Sequence, residues 1–154
     1  MSEVTHEQVN LMLRLFEMRR EPRLRQAREW FGDHFQLDKP EELMTKYPFG
    51  SEENASFRMT VSYWEMCAGI VNRGLINDEL YFESNGEAWG VWEKIRNLTP
   101  AWRAAFGNPK LFAHLEALCT RLEAWREKDA PGSTAKMRAM MQQMAQARAQ
   151  KAGH

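Results

Sequence analysis

The sequence predicts an all-α fold, and three observations carry that prediction. Apolar residues recur every three or four positions, as in Phe57, Val61, Trp64, Ala68 and Val71. The interruptions are those that start and stop helices, with Thr5, Ser51 and Asn77 as capping side chains and Pro22 at a first helical position. Strand signals are almost absent: no run alternates with period two, and the Asn85-Gly86 pair leads into a helical pattern. The expected architecture is a compact bundle of about six or seven helices over residues 1–129, followed by a hinged C-terminal helix within 130–154.

The elements follow in order. Thr5 caps a helix carrying Val9, Met12, Leu13 and Phe16. Glu21-Pro22 opens a second, presenting Leu24, Ala27, Trp30 and Phe31 and ending at Gly32. A short helical turn is expected after Asp38-Lys39-Pro40, and Ser51 opens the longest regular segment, to Arg73. Gly74 supplies the left-handed residue that closes it, with Leu75 as the accompanying apolar contact. Asn77-Asp78-Glu79 starts a short helix through Phe82, and Ser84-Asn85-Gly86-Glu87 has capping-box spacing for the next. Two further starts are expected at Thr99-Pro100 and at Asn108-Pro109, the latter leading into Leu111, Leu115, Leu118 and Leu122. Asp129 to Thr134 reads as a linker, and Ala135 to Lys151 as a helix of strong helix formers.

At 154 residues the chain has room for one domain. Its 21 basic and 21 acidic residues cancel, which removes any global attraction to nucleic acid or an anionic membrane. The distribution is uneven: residues 36–100 carry six Lys/Arg against eleven Asp/Glu, and residues 130–154 carry four against none. A purely basic last stretch is expected to fold back on the acidic domain or to reach an acidic partner. No apolar run approaches the ~18 residues of a membrane span, and the first residues lack the order of a secretory signal. Cys67 and Cys119 suit two reduced, buried thiols, so a cytoplasmic setting is expected.

Residues 62–80 carry a resemblance. The stretch from Ser62-Tyr63-Trp64-Glu65 through Gly74-Leu75-Ile76 to Asp78-Glu79-Leu80 is similar to a motif of small bacterial helical proteins catalogued as a domain of unknown function. Trp92 and Arg103 match the motif's later positions, and Glu21 to Arg28 resembles its second-helix segment. The resemblance spans roughly residues 8–105 and implies an all-helical fold without an established activity. Some members of that family carry an N-terminal membrane helix; the present sequence has no run of that kind.

Chemistry finds few footholds. The four histidines are scattered, the two cysteines have no C-x-x-C partner, and no Gly-rich elbow or phosphate loop occurs, so neither metal, cofactor nor catalytic residue is assigned. Glu65 stands out because it lies at the edge of an apolar helical stripe, where a carboxylate must be paired or shifted toward its neutral form. An inter-helix ion pair with Arg58, Arg96 or Arg103 is the structural expectation. A ligand pocket walled by Trp64, Glu65, Trp89, Trp92 and Arg103 is the functional one. Arg19, Arg20, Arg23 and Arg25 belong to a basic cluster suited to phosphates, although interleaved glutamates make a salt-laced surface the plainer expectation. In the tail, Met137, Met140, Met141 and Met144 form a flexible apolar stripe beside Arg138 and Arg148, a surface suited to a partner or to self-association. The function expected first is therefore a non-catalytic protein–protein interaction module. A small-molecule site and nucleic-acid binding are the alternatives.

Overall fold

The structure, a computed structural model, describes residues 3–153. Among these the chain forms helices α1 (His6–Arg19), α2 (Pro22–His34), α3 (Glu42–Lys46), α4 (Glu52–Asn72), α5 (Asp78–Ser84), α6 (Glu87–Ile95), α7 (Thr99–Ala105), α8 (Ala113–Asp129) and α9 (Ser133–Ala152). Eight helices precede the C-terminal one, more than the six or seven expected, because α3, α5 and α7 are one or two turns each. No strand occurs among the described residues.

The long helix α4 is the axis of the fold, packed by α2 on one side and α8 on another, with α6 completing the layer. Its stripe of Phe57, Val61, Trp64, Cys67, Ala68 and Val71 is buried, as the spacing predicts. One end of the core is aromatic: Phe31 stacks on Phe35 at 4.7 Å, Phe35 on Phe57 at 5.1 Å, and Trp102 meets Phe57 edge-on at 5.7 Å. Ser51 caps α4 through Asn54 N, and Gly74 at φ 80° closes it, its N–H and that of Leu75 bonding back to Val71 and Ile70. The expected apolar contact of Leu75 does not form; that side chain is exposed.

Several expected boundaries move, most of them where a tertiary partner overrides local grammar. The inward residues of α1 are Leu11, Met12 and Leu15, while Leu13 and Phe16 face out. Gln8 accepting from Asn77 N and Arg19 donating to Asn85 fix that rotation. Gly32 does not end α2; the helix runs on to His34, where the Lys94 ammonium gathers the carbonyls of Phe31, Gly32 and Phe35. The capping box at Ser84–Glu87 is not made. Asn85 is buried against Arg19 and Tyr81, and Glu87 turns to Arg28 and Trp64 instead. The start at Thr99-Pro100 holds: α7 begins at Thr99, whose hydroxyl donates to Ile95 O inside the core. Finally, α8 begins at Ala113 rather than at Asn108-Pro109, after Phe112 enters the left-handed region at φ 56°.

The break before α9 is only Ala130–Gly132, and it is stapled. The Glu127 carboxylate accepts from Gly132 N at 2.7 Å and Thr134 N at 3.0 Å, so α9 leaves the domain at a set angle and lies back across it.

Candidate functional site

Glu65 meets backbone rather than arginine. Its two oxygens accept from His114 N at 2.7 Å and Leu115 N at 3.1 Å, the orphan donors at the start of α8. The residue at the cap position, Phe112, has no side chain that can do this. Glu65 is therefore an N-cap delivered from another helix, and the expected ion pair does not form. Arg58 bonds Asn54, Arg96 bonds Glu93, and Arg103 is spent on Leu111 O and Glu116. Burial pushes the Glu65 carboxyl above its usual range, and the two N–H donors and nearby Arg103 offset only part of that.

The tryptophans around it are core. Trp64 and Trp89 are fully buried, their indole N–H groups donating to Glu87 and Glu123, and Trp92 is nearly so. The arginine-rich stretch is dispersed. Arg19 bonds Asn85 and stacks on Phe16, Arg23 reaches Ser56, and Arg28 makes a two-pronged pair with Glu87 at 2.7 and 2.8 Å. Arg25 pairs with Glu29 in solvent and Arg20 lies over Phe16. A continuous phosphate-binding stripe is not what these side chains form.

The tail behaves as its charge suggests, folding onto its own domain. Arg138 pairs with Glu93 on α6 and Glu123 on α8, while Arg148 bonds Gly32 O and pairs with Asp33 at 3.2 Å. These share an inward face with Met141, which packs on the core. Met137 and Met140 stay on the outward side, 39% and 60% exposed, and Met144, 51% exposed, sits at the rim of the cleft.

Between the two arginine anchors α9 roofs a half-open cleft of about 630 Å³, walled by α2 and α6 and floored in part by α4. That volume is within the ~300–1,000 Å³ usual for small-ligand sites. Its apolar lining includes Phe31, Phe35, Val91 and Met141; its polar lining includes Thr60, Arg28 and Lys94. A second, smaller cleft lies around Asn72, Asp78 and Arg121. Neither touches Trp64, Glu65, Trp89, Trp92 or Arg103. Lys94 is largely buried, and that burial pulls its ammonium down to about 8. Thr60 and Lys94 escaped the sequence reading. The signal for Thr60 was a lone hydroxyl in the apolar stripe between Phe57 and Trp64; Lys94, amid the apolar residues of α6, offered a similar one.

Reactive side chains are poorly placed for nucleophilic work. Burial pushes the Cys67 thiol up to about 11 and the Cys119 thiol up as well, which keeps both in the unreactive protonated form. No group of three metal-ligating side chains occurs among the described residues, and no helix of the structure is long and apolar enough to cross a membrane.

Fold and site together define a compact all-helical domain with a strapped cleft. The chain belongs to the family described as Domain of unknown function (DUF4760), whose profile matches residues 4–122. The match ends within α8, so the cleft walls on α2, α4 and α6 lie inside it and the α9 strap lies outside. No curated protein and no solved structure matches the chain.

Proposed function

We propose that this protein is a non-catalytic binding module whose site is the cleft beneath α9, with α9 as the strap that closes it. One observation supports this most: α9 is tied down at two separated points, Arg138 and Arg148, across a cleft of ligand size. The two ties differ: Arg148–Asp33 is a solvent-exposed pair, a kind worth only ~0–1 kcal/mol, whereas Arg138 holds the nearly buried Glu93, so the Arg148 end of the strap is the one that can lift without disturbing the core beneath it. The two buried, unpaired thiols suit a reducing compartment, and we infer a cytoplasmic setting from them.

The test uses Gly90, which lines the cleft and stands in open space, so that an added Cβ would meet nothing within 4 Å. Gly90→Phe should fill the cleft while keeping the fold, since a helical Gly gives up ~1 kcal/mol to most residues. Small molecules that raise the melting temperature of the natural protein should then fail to raise that of Gly90→Phe. Equal stabilisation of both would move the site elsewhere.

A second reading rests on the exposed stripe of Met137, Met140 and Met144. These lie exposed at helical spacing; Met140 is the most exposed, Met137 receives the Arg126 guanidinium and Met144 borders the cleft. A stripe of flexible thioethers of this kind packs readily on another helix, and self-association through α9 is the simplest form of the interaction function. Light scattering of the full chain against Met140→Glu tests it: a dimer lost in the variant supports the reading, and a monomer in both at high concentration removes it.

A further inference from the structure

The chemistry of the cleft narrows what it takes, and the argument rests on the cleft being the binding site. Three carboxylates line it, Asp33, Glu87 and Glu93, against five cations. Each carboxylate is already paired: Asp33 with Arg148, Glu87 with Arg28, and Glu93 with both Arg96 and Arg138. Arg138 is also held by Glu123 behind the lining, so the positive surplus of the cleft is centred on Lys94. Lys94 has no carboxylate within ion-pair distance among the described residues; its ammonium sits on three carbonyls at the end of α2, at 2.8, 2.8 and 3.2 Å.

The second observation is independent of charge. Thr60 lines the cleft yet is only 1% exposed, and its hydroxyl has no hydrogen-bond partner among the described residues. Buried hydroxyls without partners are uncommon because each forgoes the bonds it makes with water. The hydroxyl oxygen is itself closed to solvent, so a ligand oxygen that parts the side chains at that wall of the cleft would remove the deficit, and the surrounding positive surplus favours an oxygen bearing negative charge. The rest of the wall, Phe31, Phe35, Val91 and Met141, asks for an apolar body.

We propose that the cleft binds a small organic carboxylate with an apolar tail, the carboxylate accepting from the Thr60 hydroxyl within the positive surplus around Lys94, the tail lying against Phe31 and Met141. Cationic amphiphiles of the same shape are rejected by that surplus.

Calorimetric titration of the full chain with decanoate and with decylammonium tests this. Decanoate should bind at least about tenfold more tightly, the equivalent of one charge-assisted hydrogen bond. Thr60→Val keeps the side chain's shape, removes the orphan hydroxyl and should hold or raise the melting temperature while weakening decanoate about fivefold or more. Decylammonium should be unaffected by that change. Equal affinity for the two probes, or decanoate binding indifferent to Thr60→Val, overturns the carboxylate assignment while leaving the cleft as a site. Decanoate that binds Gly90→Phe as well as the natural chain, or no binding of either probe together with no cleft-dependent ligand of any kind, overturns the cleft reading itself.

Discussion

The starts of α8 and α9 solve the same problem with the same group in different surroundings. Both helices follow a left-handed residue, Phe112 at φ 56° and Gly132 at φ 85°, and neither has a capping side chain of its own. In both, a glutamate from another helix accepts two backbone N–H groups. Glu65 comes from α4, 49 positions away, and is half-buried. Glu127 lies five positions before Gly132 and has little burial to oppose its bonds. Burial pushes the Glu65 carboxyl up despite its hydrogen bonds, whereas the bonds to Gly132 and Thr134 pull Glu127 down. Desolvation, not hydrogen-bond count, decides the direction. The first cap joins two distant parts of the core; the second sets a local turn.

The sharpest way to break that contrast is Glu65→Ala. It strips the acceptor from two part-buried N–H groups and should lower unfolding stability by about 2–4 kcal/mol, read by urea denaturation. A loss below about 1 kcal/mol would mean that α8 starts without help from α4. Glu65→Gln adds the pH dependence. Because the folded-state carboxyl is raised, the proton it holds contributes stability below the ordinary carboxylate range, and that contribution fades as pH rises through the raised value. The stability gap between the natural protein and Glu65→Gln should therefore be wider in acid and narrower at neutral pH.

Lys94 is the opposite charge at the opposite helix end. Lys94→Met should cost about 1–3 kcal/mol at neutral pH, since three carbonyls at the end of α2 lose their donor. Its pH dependence also has a definite sign. The ammonium is lowered to about 8, so between there and the ordinary lysine range the unfolded chain holds a proton that the fold does not, and stability rises with pH. The gap between the natural protein and Lys94→Met should thus widen above about pH 8. A gap that shrinks over that interval would show that burial is not what lowers Lys94.

These contacts also mark where sequence reading stops. The stripe of α4, the caps Thr5, Ser51 and Asn77, and the Gly74 closure were all legible, because each depends on neighbours within a turn or so. The start at Thr99-Pro100 was legible too, but the capping box at Ser84–Glu87 and the start at Asn108 were misplaced because distant partners claimed Glu87 and Glu65 supplied the missing cap at Ala113. Glu65 itself was legible as a carboxylate needing a partner, but not that the partner was backbone 49 positions on. The cleft was hidden for a related reason: its walls come from α2, α6 and α9, and only the fold brings them together.

The smallest expected effect falls at Glu127, and it decides whether α9 is an independent strap. Glu127→Gln leaves one acceptor oxygen and turns an NH2 donor toward the other backbone N–H, so the Gly132–Thr134 turn loosens while the contacts of α4 and α8 are untouched. Amide exchange should quicken over the first turns of α9 and stay unchanged in α4. The natural protein should keep that protection above the ordinary carboxylate range and lose it as pH falls through the lowered Glu127 value, whereas the variant should show no such step. If Glu127→Gln instead lowers the melting temperature of the whole domain as Glu65→Ala does, then α9 is part of the cooperative core. The cleft would then have a fixed roof rather than a strap, because α9 could not lift while the rest of the domain stayed folded.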